Sequence, residues 1–245
     1  MKNKIKKILN HLKHILIGLR HNLIPLPRKP VREKNPYTLF RDEELALCYE
    51  HFKKYFKSSI FISTTKLARD YAIKEALRND QDGKKFYLEF GVHTGGSINF
   101  FSKHVKHIYG FDSFEGLKED WHGTLDHRKG TFDKKKRMPE TNSNVTLISG
   151  WVQDTVEKFL DQKKPEINFL HMDLDTYEST KFVLEKIKPF LIKNSIIIFD
   201  ELYNYPGWEV GEYKALKEVF NENDYKYMAF TAEGTSSVIK IINVD

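Results

Sequence analysis

The sequence predicts an α/β fold: a doubly wound, mostly parallel seven-stranded sheet with N-terminal helices and an antiparallel C-terminal hairpin. Two observations predict this fold. From residue 86 onward, short apolar segments of strand length alternate with segments of helical periodicity, which is typical of a parallel sheet covered by helices on both faces. The last two strand-like segments are separated only by residues 232–235, a spacing that suits an antiparallel hairpin.

The elements follow one another in a regular order. Residues 41–78 have a helical pattern of mixed charge, which predicts two helices ahead of the sheet. The predicted strands are residues 86–90, 108–111, 145–148, 167–172, 196–199, 225–230 and 236–242. The predicted helices between them are residues 97–104, 155–160, 176–191 and 213–220. Ligands of such sheets bind beyond the carboxyl ends of the strands, so the residues that follow each strand are the first candidates for a site.

The first 35 residues differ from the rest in charge. They hold ten Lys or Arg and one acid, which gives this segment +9 and leaves −3 for the remaining residues of a chain whose net charge is +6. A uniformly basic surface is therefore excluded, and we expect no nucleic-acid partner. Apolar residues from Ile5 to Leu23 recur at three- and four-residue steps. Residues 1–35 thus predict a basic amphipathic helix and a proline-containing linker, ahead of a domain of residues 36–245 with a helical cap up to about residue 82.

Two interpretations of the N-terminal helix stay open. In the first, the helix lies on an anionic membrane as a peripheral contact. In the second, which is the commoner case, it docks on its own domain or on a second subunit of a homo-oligomer. No apolar run is long enough to span a bilayer, and His14, Arg20 and His21 interrupt the apolar core that a signal peptide needs. A single cysteine, Cys48, excludes an internal disulfide framework. We expect a cytoplasmic protein, with the inner face of the membrane as the alternative location.

A glycine-rich turn follows the strand at residues 86–90. Gly91 and Gly95 let the backbone approach a ligand closely, at the start of a helix that offers free amides. The dinucleotide pattern G-x-G-x-x-G is absent because His93 stands where the second glycine belongs, which disfavours a nicotinamide-dependent oxidoreductase. A ligand with a cationic amino acid end fits better, since Glu89 supplies a nearby carboxylate.

Acidic residues end three other predicted strands. Asp112 lies 21 residues after Gly91, a suitable interval for a carboxylate that binds a ribose diol, although a turn or cap aspartate is the alternative. Asp173, Asp200 and Glu201 end two later strands. Three hard oxygen donors without cysteine suit Mg²⁺ or a similar divalent ion, and unpaired acids this close would repel one another.

Two residues near Asp173 are the nearest candidates for a general base. Asp175 and Glu178 form a D-x-x-E pattern that predicts a capping box for the following helix, so Asp173 is preferred over Asp175 as the metal ligand. Asp175 and His171 are the catalytic candidates by position, although a strand histidine is more often held in the core.

The segments LEFGVHTGGS, YGFDSFEGL, HMDLDTYEST and IIIFDE together resemble the class I S-adenosylmethionine-dependent methyltransferases. The likeness is greatest to the macrocin O-methyltransferase type, which methylates sugar hydroxyls of natural products. It spans about residues 87–201 and implies a Rossmann-like methyltransferase fold. It also implies that Glu89, Gly91 and Ser97 line the methionine end of the cofactor and that Asp112 binds the ribose.

The same resemblance implies further site residues. Residues 150–154, with Gly150 and Trp151, are expected near the adenine, and Mg²⁺ is expected between Asp173, Asp200 and Glu201. Relatives commonly have a second aspartate or an asparagine in place of this glutamate. Expected cofactor contacts also include Gly95, Ser113 and Asp173.

The expected function is Mg²⁺-assisted O-methylation of a hydroxyl on a sugar or glycan, in a surface polysaccharide or a natural product. Three alternatives stay open: a phenolic diol or other small-molecule acceptor, a nicotinamide-dependent oxidoreductase, and a non-catalytic membrane-associated protein that keeps a cofactor fold. The aromatic-rich segment 204–209 either closes over the acceptor or packs in the core.

Overall fold

The computed structural model describes residues 35–244. Its α-helices are α1 (Pro36–Phe56), α2 (Thr65–Leu77), α3 (Gly96–Ser102), α4 (Val152–Lys163), α5 (Tyr177–Ile187) and α6 (Glu212–Val219). Its strands are β1 (Ile60–Ile62), β2 (Phe86–Phe90), β3 (Ile108–Asp112), β4 (Val145–Ser149), β5 (Ile167–Met172), β6 (Leu191–Phe199), β7 (Tyr225–Thr231) and β8 (Ser237–Ile241). The predicted basic helix and linker of residues 1–35 lie outside the described residues, apart from Asn35.

The strands form one sheet in the order β1-β7-β8-β6-β5-β2-β3-β4. The central strands β6, β5, β2, β3 and β4 are parallel, whereas β8 runs antiparallel between β6 and β7. The predicted doubly wound, mostly parallel sheet with a closing antiparallel hairpin is therefore confirmed. This order places the carboxyl ends of β2, β3, β5 and β6 side by side.

An eighth strand was not predicted. The segment 41–78 forms the two expected helices, but the three residues of β1 between them pair in parallel with Ala229–Thr231 of β7. Three residues are too few to show an alternating pattern, and two of them, Ile60 and Phe61, are about half exposed at the sheet edge. The Thr64 hydroxyl accepts a hydrogen bond from the Leu67 amide and starts α2 directly after this strand.

Side chains alternate between the two faces of the sheet, and each face packs into its own hydrophobic core. Leu88 and Leu170 point to the face covered by α1, α4, α5 and α6, whereas Tyr87 and Phe169 point to the face covered by α2 and α3. His171 is next but one to Phe169 and shares its face, where its ring lies 5.1 Å from that of Phe101 on α3. The strand alternation therefore directs this histidine toward α2 and α3.

Segment 204–209 packs in the core. Tyr205 and Trp208 are 7% and 1% exposed, and the Trp208 ring lies 5.4 Å from Phe52 of α1. Phe52 also makes edge contacts with Tyr203, Tyr213, Tyr227 and Phe230. Of the two readings of this aromatic segment, the structure supports packing.

Replacing Phe52 with alanine should lower the free energy of unfolding by about 3–5 kcal/mol, because the cavity would open at the centre of this aromatic cluster. Denaturant unfolding followed by circular dichroism measures this change. Tyr49→Ala on the same helix is the control, since Tyr49 is 58% exposed. Equal losses for the two variants would contradict the assignment of Phe52 to the core.

Candidate functional site

A cavity of about 400 Å³ opens at the carboxyl ends of β2, β3, β5 and β6. Among the predicted site residues, Gly91, Ser97, Asp112, Ser113, Trp151, Asp173, Asp175 and Glu201 line it. Glu89, Gly95, Gly150, His171 and Asp200 are not among the residues that line it. The fold thus brings many of the predicted residues together at this edge of the sheet, but not all of them face the cavity.

Asp112 holds the glycine-rich turn in shape. One carboxylate oxygen of Asp112 accepts hydrogen bonds from the amides of Val92 and His93 at 2.9 and 2.7 Å, and the other accepts from Phe114 at 2.6 Å. Gly91 has a left-handed φ of 90°, and a Cβ atom there would overlap the carbonyl oxygen of Asp173. The Asp112 carboxylate therefore orders the turn. Because Asp112 also lines the cavity, the predicted contact with a ribose stays a prediction.

Glu89 lies beneath the cavity, fully buried. Its carboxylate accepts a hydrogen bond from the Ser97 hydroxyl at 2.7 Å and lies 3.4 Å from Nδ1 of His171. The structure therefore favours a supporting role for Glu89 over direct contact with a cofactor. Ser97 and Gly91 are the predicted residues that face the cavity at this end.

The acids after β5 and β6 form two overlapping groups. Ligand atoms of Asp173, Asp175 and Glu201 all lie within 4.8 Å of one another, and so do those of His171, Asp173 and Asp200. Burial and the neighbouring carboxylate of Asp200 raise the pKa of Asp173 and Asp175, that of Asp175 to about 7. The first group lines the cavity, and it contains two of the three predicted metal ligands.

Asp200, the third predicted metal ligand, is held by an arginine. The Arg69 guanidinium of α2 donates a hydrogen bond to Asp200 at 2.9 Å and lies 3.7 Å from Asp173. Burial raises the pKa of Asp200, but the His171 and Arg69 cations outweigh it and hold this pKa well below its usual range. Asp200 is therefore already paired with a cation of the protein itself.

The predicted capping box is wrong. Helix α5 has Thr176 at its N-cap without a side-chain cap bond, and the Glu178 amide donates instead to Glu119 at 3.1 Å. Asp175 stands before the cap with a left-handed φ of 62° and faces the cavity. The reason for preferring Asp173 over Asp175 thus disappears, and both carboxylates belong to the site.

His171 lies between acids and away from the cavity. It is fully buried, with Glu89 on its Nδ1 side and Asp200 3.7 Å from its Nε2 atom. Burial alone would lower the pKa of His171, but the carboxylates of Asp200, Glu89 and Asp173 raise it to about 10. The structure favours a positioning role for this cation over the predicted role as general base.

Sequence reasoning missed three contributors. Arg69 belongs to a predicted helix with no distinguishing pattern, and Glu212 is a fully buried acid at the start of α6 that accepts the Glu201 amide at 3.1 Å. The third is the connection of residues 113–144, which supplies Leu117, Lys118, Trp121 and Phe132 to the cavity wall. The length of this connection could have indicated a role at the site, because long connections in compact domains are commonly functional.

Residues 88–202 match a family model described as a methyltransferase domain. Over these residues the chain is a methyltransferase domain. This match confirms the predicted enzyme class, supports S-adenosylmethionine as its cofactor and disfavours a nicotinamide-dependent oxidoreductase. Among curated protein sequences, none matches this chain significantly.

Solved structures show the same fold. CalS11, a calicheamicin methyltransferase, has a TM-score of 0.59 at 21% identity over 89% of this chain and 98% of its own. A second, apo structure of CalS11, described as a TDP-rhamnose 3'-O-methyltransferase, has a TM-score of 0.53 at 24% identity over 87% and 88%. The O-methyltransferase NovP has a TM-score of 0.51 at 17% identity over 72% and 78%. At these identities the likeness shows the fold, and the roles of individual residues stay predictions.

Gly91→Ala should abolish binding of S-adenosylhomocysteine, because its Cβ atom would collide with the Asp173 backbone that forms the cavity floor. Titration calorimetry measures the binding. Gly130→Ala is the matched control, since Gly130 has a similar left-handed φ of 84° but a Cβ atom there would have no heavy atom within 4 Å. Wild-type affinity in both variants would show that the cofactor does not depend on this close approach.

Proposed function

We propose that this methyltransferase transfers the methyl group of S-adenosylmethionine to a hydroxyl of a sugar or glycan, assisted by Mg²⁺ or a similar divalent ion. The observation that carries the proposal is the group of Asp173, Asp175 and Glu201 at the floor of a methyltransferase cavity. The sugar is supported by the fold shared with a protein described as a TDP-rhamnose 3'-O-methyltransferase. A phenolic diol is the second acceptor class.

The acids at the cavity floor fit a divalent cation. Glu201 has a buried carboxylate oxygen with no hydrogen-bond partner among the described residues, and its pKa is raised by burial and by Asp173. Mg²⁺ is commonly held by one or two carboxylates and keeps open positions for water or substrate. Asp173 and Glu201 would hold the ion, while Asp200 stays with Arg69. The ion would supply Lewis-acid activation of the acceptor hydroxyl.

The protein's own side chains would orient the reactants and receive the proton. Ser97 and Gly91 bound the end of the cavity where the methionine part of the cofactor is expected. Asp175 faces the same cavity, and its pKa near 7 suits a general base at neutral pH. We assign the base to Asp175, which accepts the hydroxyl proton as the oxygen attacks the methyl carbon and the carbon–sulfur bond breaks.

Contacts beyond the active site remain proposals. We keep a peripheral membrane contact through residues 1–35 and a homo-oligomeric state as open alternatives for the basic helix. Within residues 35–244, no helix combines the length and apolar character that crossing a bilayer requires.

Methyl transfer to a panel of nucleotide-linked sugars, glycans and phenolic diols tests the function. Formation of S-adenosylhomocysteine should depend on a sugar acceptor and should fall in excess chelator, with recovery on addition of Mg²⁺. Full activity in chelator would contradict the metal part of the proposal. Turnover of phenolic diols without any sugar turnover would favour the second acceptor class.

Two conservative variants separate the proposed roles. Asp175→Asn should lower kcat by about 10²–10⁴-fold, because the base is lost while the cation site keeps two carboxylates. Glu201→Gln should instead raise the Mg²⁺ concentration needed for half-maximal activity. Steady-state kinetics at varied Mg²⁺ measure both effects. A change confined to Mg²⁺ dependence in Asp175→Asn would make Asp175 a ligand and not the base.

A further inference from the structure

The cavity has an acidic floor and a basic rim. The rim is the run Lys134-Lys135-Lys136-Arg137, which follows Phe132 on the long connection between β3 and β4. Phe132 lines the cavity, and the rim residues beyond it are exposed apart from Lys134, which is half-buried. The positively charged rim therefore begins two residues after a residue of the cavity wall, while the acids lie at the carboxyl ends of β5 and β6.

The backbone holds the rim in a defined position. The amides of Lys134 and Lys136 both donate to the carbonyl oxygen of Phe114, at 3.1 and 2.9 Å. Phe132, Lys135 and Lys136 have left-handed φ angles of 71°, 53° and 60°. Side chains other than glycine adopt this region at an energetic cost, and such residues persist where the surrounding structure imposes them.

The segment just after the rim contacts the glycine-rich turn and the helix that follows it. Pro139 packs against Gly95, and the carbonyl oxygen of Glu140 accepts a hydrogen bond from the Asn99 side chain of α3 at 3.0 Å. These contacts fix the position of this segment relative to the glycine-rich turn and α3.

The rim charges are largely uncompensated. Lys136 lies 3.3 Å from Glu115, whereas Lys134, Lys135 and Arg137 form no ion pair within residues 35–244. Partial burial and, after it, the charge of Lys134 lower the pKa of His93, which lines the cavity wall. Positive charge is thus available at the mouth of the cleft.

We propose that the rim binds a phosphate or diphosphate group carried by the acceptor, as in a nucleoside diphosphate sugar. This inference rests on the proposed function, because it concerns the acceptor of that reaction. An anionic group is repelled by the carboxylates of the floor and attracted by the rim, so the two ends of the cleft orient such an acceptor with its hydroxyl inward. Charge-assisted hydrogen bonds from Lys and Arg are the strong contacts to phosphate oxygens.

A variant that removes two of the four positive charges of the rim tests this inference. The double variant Lys135→Asn/Arg137→Gln removes two positive charges, and asparagine tolerates the left-handed backbone at residue 135. The control Lys103→Gln/Lys226→Gln removes the same charge from exposed positions on α3's C-terminal end and on β7. The probe is dTDP, titrated by calorimetry into each protein saturated with S-adenosylhomocysteine.

We expect dTDP to bind wild type and the control alike, and to bind the rim variant at least about tenfold more weakly. Affinity for S-adenosylhomocysteine should be the same in all three proteins, which separates this test from failure of the methyltransferase site itself. Equal dTDP affinity in the rim variant, no binding to wild type, or displacement of S-adenosylhomocysteine by dTDP would each overturn the inference. Pelleting with anionic phospholipid vesicles is the second arm: a loss of vesicle binding with unchanged dTDP binding would assign the rim to lipid headgroups instead.

Discussion

Half-buried negative charge at the ends of β5 and β6 is the constraint around which the site is built. Asp173, Asp175, Asp200 and Glu201 lie close together, and partial burial with mutual repulsion raises the pKa of three of these groups. Arg69 compensates one of them, Asp200, through a contact of 2.9 Å. Replacing only one member of such a buried pair is costly, so the position of α2 and the stability of the acids depend on each other.

This dependence explains why the helices before the sheet are part of the catalytic domain. α2 packs with small residues, Ala68, Ala72 and Ala76, directly on the face that carries His171. Close packing of that helix brings Arg69 to the strand ends, and His171 reaches the same acids from the strand itself. One cation from a helix and one from a strand thus meet the carboxylates, Arg69 as part of the cavity wall and His171 from within the core.

Much of the central fold was predictable because buried parallel strands are short apolar runs that end abruptly in polar residues. The same rule found Asp112, Asp173 and Asp200, since each directly ends a strand or follows it. It could not find Arg69 or Glu212, whose helices bring them to the site only through tertiary packing. The D-x-x-E pattern at Asp175 misled because Glu119, from a connection with no regular structure, takes the helix amide that the box would have used.

The charge balance of the proposed reaction follows from the same arrangement. With Asp200 paired to Arg69, the carboxylates that face the cavity are Asp173, Asp175 and Glu201. When ionised, these three carboxylates would balance the positive charges of a divalent cation and of the cofactor sulfonium together. Methyl transfer removes the sulfonium charge, while the proton released by the acceptor hydroxyl arrives at Asp175. The total charge of the floor, the cation and the cofactor would therefore stay constant through the reaction, so the site would not have to stabilise a newly separated charge. A base outside this group, such as the already protonated His171, would lack that compensation.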